Sequence, residues 1–99
     1  MPHYVVEITY RVPLARIDEV LAAHRAHLQG GFERGLLLAS GPKQPRDGGI
    51  LLARAATRVA LEAFIAQDPY SLQQLAEFRL IEFQPVKHQA WAGEWFAAA

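Results

Sequence analysis

The stretch His24–Pro42, HRAHLQGGFERGLLLASGP, decides the fold, because it holds the end of a helix, a turn and the first strand of a hairpin. Apolar residues at Leu14, Ile17, Val20, Leu21 and Leu28 lead into it at the i, i+3, i+4, i+7 spacing of an amphipathic helix. The spacing predicts a helix from Leu14 to about Gln29, with Gly30-Gly31 supplying its C-terminus. At roughly 100° per residue His24 falls within about 40° of the centre of the apolar stripe, and His27 about 100° away. His24 therefore leans toward the core and His27 toward the edge or solvent. Leu36–Ser40, LLLAS, is a short continuous apolar run between Gly35 and Gly41, which reads as a strand buried on both faces.

Upstream, His3 to Val12 alternates, with Tyr4, Val6, Ile8, Tyr10 and Val12 on one side, and Pro13 stops this strand at the entrance to the helix. Downstream, the turn-rich loop 41–49 contains Asp47-Gly48, and Ile50–Ala55 returns as the second strand of a hairpin. Thr57 is placed to cap a second helix, Arg58–Gln67, which Asp68-Pro69 ends because a residue before proline is pushed out of the helical region. Tyr70–Leu75 reads as a turn or a short helical piece, and Phe78–Val86 as a last strand that is apolar on both faces. Residues 1–87 are expected to form the domain. Residues 88–99, with Trp91, Trp95 and Phe96, are expected to be an extension docked as a short helix.

The order strand, helix, strand, strand, helix, strand predicts an α+β, ferredoxin-like βαββαβ domain, with a four-stranded antiparallel sheet and both helices on one face. The other face is apolar as well, and its expected cover is a second copy, giving a homodimer through sheet faces. A 52% hydrophobic composition over 99 residues agrees with covered surface. Ten Lys and Arg balance ten Asp and Glu, so no basic footprint points to nucleic acid or to an anionic membrane. The chain has no cysteine, which removes disulfides, thiolate metal sites and a cysteine nucleophile. No window reaches the roughly 18 apolar residues of a membrane span and no leader is evident at MPHYVVEITY, so a cytoplasmic location is expected.

The run His24…Gly35-Leu36-Leu37-Leu38-Ala39-Ser40-Gly41-Pro42, then Gly48-Gly49, then Asp68-Pro69-Tyr70, resembles the YciI (YCII-related) family of the dimeric α/β-barrel superfamily. The likeness extends from about Tyr4 to about Val86. It implies a ferredoxin-like subunit, a dimer forming the α/β barrel, and a pocket in which His24 and Asp68 match the family's acid–base pair. The family includes a dehydrochlorinase acting on a chlorinated hydroxyquinol, while most members have no assigned reaction. Two departures stand out. Thr57-Arg58-Val59-Ala60 lacks the family's usual acidic pair, and Gln73-Gln74 stand about where a glycine commonly follows the Asp-Pro segment.

In such a dyad the Asp68 carboxylate accepts from one imidazole nitrogen, fixes the tautomer, and leaves the other nitrogen to move a proton. The competing readings are a satisfied core histidine and a turn aspartate before proline. Ser40 is a candidate donor to a substrate oxygen, the Gly41-Pro42 backbone a surface for close approach, and Tyr70, with Tyr10 and Phe32, a candidate aromatic wall. Strand-end turn and core packing compete with these roles. Arg46 and Arg79 are candidates for an anionic group, against ordinary surface arginines. No H-E-x-x-H spacing supports a metal among His3, His24, His27 and His88, and no phosphate loop occurs, so no metal and no cofactor are expected. The expected function is that of a cofactor-independent enzyme of lyase or isomerase type, acting on a small, aromatic or conjugated, oxygenated molecule. The alternative is a non-catalytic binding or interaction domain with the same pocket.

Overall fold

A computed structural model describes residues 1–97 and follows the order β1 (His3–Tyr10), α1 (Leu14–Glu33), β2 (Leu37–Pro42), β3 (Gly48–Arg54), α2 (Arg58–Ala66), α3 (Pro69–Leu72) and β4 (Ala76–Phe83). A 3-10 turn, Ala90–Ala92, and a single helical turn, α4 (Gly93–Phe96), end the described chain. The four strands form one antiparallel sheet in the order β2-β3-β1-β4, the ferredoxin-like arrangement. Among the described residues no helix is long and apolar enough to cross a membrane.

Period-two alternation carries the core. Tyr4, Val6 and Ile8 of β1 are at most 2% exposed and meet Leu51 and Ala53 of β3, Leu28 of α1, and Leu61 and Phe64 of α2. A second cluster, Ile17, Val20, Tyr70 and Leu75, continues it under α3. Thr57 caps α2 through its hydroxyl, which accepts from Ala60 N at 3.1 Å.

Several elements differ from their sequence reading. β1 ends at Tyr10 rather than Val12, because the chain leaves the ladder there: Tyr10 N donates to Asp47 O and Arg11 N to Leu75 O. α1 does not stop at Gln29; it runs through Gly30-Gly31 to Glu33, and the left-handed residue is Gly35, at φ +71°. Gly31 sits inside the helix because Phe64 and Leu37 pack onto its bare backbone, where a Cβ would lie 2.5 Å from Phe64 Cζ. β4 spans Ala76–Phe83 rather than Phe78–Val86.

The largest correction concerns β2, which is an edge strand in which only Leu37 is buried, not a strand buried on both faces. Its register also slips. Leu37 pairs with Ala53 but Ala39 pairs with Leu52, so Leu38 is a bulge residue. Past the bulge the alternation inverts, and Ser40 pairs with the core residue Leu51 and turns to the helix-covered side.

The face away from the helices carries Leu38, Leu52, Ile81 and Phe83, each 37–41% exposed. One end of it meets the C-terminal segment. Phe96 lies against His3, with ring centroids 5.1 Å apart. Arg54 stacks on the Trp95 ring at 3.7 Å and donates to Trp95 O at 2.9 Å. His3 is 3% exposed and neither ring nitrogen has a protein partner among the described residues.

Burial, reinforced by the N-terminal ammonium and Arg54, lowers the pKa of His3 below 6.5. The unfolded chain then binds more protons than the folded one as pH falls below about 6.5, so stability present at neutral pH is lost toward acid. Replacing His3 by Phe is expected to flatten that part of the melting-temperature profile. A profile parallel to wild type between pH 7 and 5 would contradict it.

Candidate active site

Each side of the site follows from a local rule. Leu21, His24, Arg25 and Leu28 share one stripe of α1 by helical spacing, and all four line a cavity of about 460 Å³ between α1 and the sheet. Ser40, Gly41 and Pro42 of β2 line it from the edge strand, and Tyr70 of α3 and Arg46 of the β2–β3 loop complete its wall. The bulge at Leu38 is what turns the Ser40 hydroxyl this way, since uninterrupted alternation from Leu37 would put Ser40 on the opposite face.

His24 and Asp68, 44 positions apart, meet. The imidazole Nδ1–H donates to Asp68 Oδ2 at 2.7 Å, with Oδ1 at 3.0 Å. Asp68 is 1% exposed and His24 8%. The same carboxylate caps α3, accepting from Tyr70 N at 2.8 Å through Oδ1. Asp68 is thus both the turn residue before proline and the partner of His24. The imidazole is held a second way, because the Tyr70 ring stacks on it at 3.9 Å with planes 10° apart. Nε2 has no protein partner among the described residues and is not sealed, which leaves it to the cavity that His24 lines. In the neutral imidazole this contact fixes one tautomer and leaves the Nε2 lone pair unshared with the protein.

Tyr70 is 1% exposed, and its hydroxyl has no partner among the described residues. Burial chiefly, with Tyr10 and Asp68 adding to it, pushes its pKa up to about 12. Tyr10 meets it edge-on at 6.0 Å and lines the cavity as well. Arg46 donates to Asp18 Oδ1 at 2.6 Å, bridging the β2–β3 loop to α1.

Other candidates lie elsewhere. His27 stacks on Phe64 and donates from Nε2 to Phe64 O at 2.8 Å, an internal brace between α1 and α2. Phe32 packs on the main core, and Arg79 lies opposite Glu7 on the sheet. Among the described residues no group of three or more His, Cys, Asp and Glu could hold a metal ion. Arg25 and Asp18 are absent from the sequence candidates; the signal for them is helical spacing from Leu21, four positions after it and three before it.

No curated protein matches the chain. The fold is shared with 5-chloro-2-hydroxyhydroquinone dehydrochlorinase (TftG) from Burkholderia phenoliruptrix AC1100, solved in complex with 2,5-dihydroxybenzoquinone. The TM-score is 0.66 at 21% sequence identity, over 88% of this chain and 95% of that one. The family profile of the YCII-related domain matches residues 3–84, from the first residue of β1 to just past the end of β4, and the chain belongs to the YCII-related family.

Proposed function

We propose that the protein is a cofactor-independent enzyme of lyase or isomerase type in which His24 moves a proton on a small, oxygenated aromatic or conjugated ring. The observation that carries this is the pairing of a buried Asp68–His24 contact with an Nε2 left to a cavity of about 460 Å³. Nε2 is the group that takes a proton from a ring hydroxyl or an acidic ring position, and the same imidazolium returns one elsewhere. Asp68 is the positioning residue, since it touches His24 and not the cavity. Ser40 and the Gly41 backbone hold the ring's oxygens, and Pro42 and Tyr70 border the space the ring fills. Fold likeness to a dehydrochlorinase whose structure holds a quinone supports the substrate class.

Chloride release from 5-chloro-2-hydroxyhydroquinone, followed without oxygen, tests this reading. Wild type is expected to release chloride and His24→Gln to lose at least about a hundred-fold in rate, the ordinary contribution of a positioned acid–base group. Equal rates in the two proteins, or none in wild type, would overturn it.

The working unit proposed here is a homodimer through the open sheet face, where Leu38, Leu52, Ile81 and Phe83 form the apolar surface. Light scattering is expected to give about twice 11.0 kDa. A monomer at micromolar concentration would contradict that.

A further inference from the structure

The buried hydroxyl of Tyr70 has no partner among the described residues, and the proton-transfer reading gives it no role. A sealed O–H without an acceptor is costly, and native chains keep few of them. Its ring is pinned between His24 and Tyr10, so it has little freedom to turn toward another partner. Arg46 lines the same cavity as Tyr70, and its guanidinium is held by the carboxylate of Asp18. A cation and an unused donor that line one cavity offer a negatively charged oxygen two partners, and the Asp18 carboxylate already occupies the cation as such an oxygen would.

We propose that Tyr70 and Arg46 bind an anionic substrate oxygen, so that the site selects planar acidic enols and phenols, held as oxyanions, over neutral rings of the same size. The inference rests on the reading of this cavity as the reaction site and adds to it the charge state of the substrate. A ligand oxygen displaces Asp18 from Arg46 and accepts from Tyr70, whose own proton stays in place because the hydroxyl is so weakly acidic.

Equilibrium binding of 2,4-dinitrophenol, ionised at neutral pH, against 1,3-dinitrobenzene as the neutral ring tests the proposal. Wild type is expected to prefer the phenolate. Tyr70→Phe is expected to weaken phenolate binding by about ten- to a hundred-fold, the loss of one hydrogen bond to a charged acceptor, and to leave the neutral ring unaffected. Its melting temperature should equal or exceed that of wild type, because an unpaired hydroxyl has been removed and the stacked ring kept. Asp18→Asn frees Arg46 and is expected to tighten phenolate binding about two- to five-fold, a gain that damage to the fold does not produce.

Equal binding of the two rings by wild type, no saturable binding of the phenolate, or unchanged phenolate affinity in Tyr70→Phe would overturn the proposal. Chloride release that persists in His24→Gln, alongside the Tyr70→Phe loss of phenolate binding, would sink the proton-transfer reading and leave this subsite standing.

Discussion

Asp68→Asn is expected to lower turnover by about a hundred- to ten-thousand-fold while the chain stays folded. Asparagine keeps an oxygen that can accept from Tyr70 N, so the cap of α3 survives. Its other terminal atom is an NH2 where Oδ2 now accepts from His24 Nδ1 at 2.7 Å. Two donors cannot share that contact. The imidazole proton therefore moves to Nε2, and the nitrogen facing the cavity becomes a donor that cannot take a proton from substrate. The upper end of the range is the wrong-tautomer penalty known from serine-hydrolase triads. The measurement is kcat together with the histidine nitrogen shifts, which report the tautomer directly. Asp68→Ala gives the contrast, losing the cap as well, at a further cost of about 1 kcal/mol in stability. Full turnover in Asp68→Asn with the tautomer exchanged would remove Asp68 from the mechanism.

How much of this could be read from residues alone depends on the range of the interaction. Local periodicity puts His24 on the inner stripe of α1, and the Asp68-Pro69 pair marks the end of α2; both are properties of a few neighbouring residues. That the two side chains meet across 44 positions is a consequence of the crossover topology, and only the family likeness pointed to it. The bulge at Leu38 has no local signature in Leu-Leu-Leu-Ala, since every residue there suits either face; the register is set by pairing with β3. The end of α1 is not legible locally for a related reason. Gly30-Gly31 looks like a helix stop, yet Gly31 is required by Phe64 and Leu37, which come from α2 and β2. Gln73-Gln74 shows the reverse case. Gln74 takes the left-handed conformation, φ 57°, in the segment where the resemblance leads one to expect glycine, and about 1–2 kcal/mol of local strain is accepted there. Arg16 on α1 reaches the Gln73 side chain and helps hold that turn.

Gly48→Ala is expected to be the most destabilising single-methyl change in the protein. Gly48 pairs with Thr9 where β3 leaves the loop, and a Cβ built there would lie 1.8 Å from Ile8 O and 2.8 Å from Ile8 C. Both obstacles are backbone of the central strand β1, so no rotamer change can relieve them; β3 must move off β1. The bonds next in line are Lys43 N to Gly48 O at 2.9 Å and Tyr10 N to Asp47 O at 3.0 Å, which close the β2–β3 loop and end β1. The cost is expected to be at least about 3 kcal/mol, the upper end of ordinary overpacking, because the clash is rigid. For a domain of this size that lowers the melting temperature by more than about 12 °C. The displacement also reaches the site, since Gly49 and Arg46 line the cavity on either side of this position. Gly31→Ala should cost less, about 1–3 kcal/mol, because its nearest obstacle is the far end of the Phe64 ring, which can tilt. Gly30→Ala, one residue earlier, meets nothing within 4 Å and should stabilise α1 by about 0.5–1 kcal/mol. Thermal unfolding of the three variants orders them. A Gly48→Ala protein that melts within a degree or two of wild type would contradict the close approach of β3 to β1 on which one wall of the cavity depends.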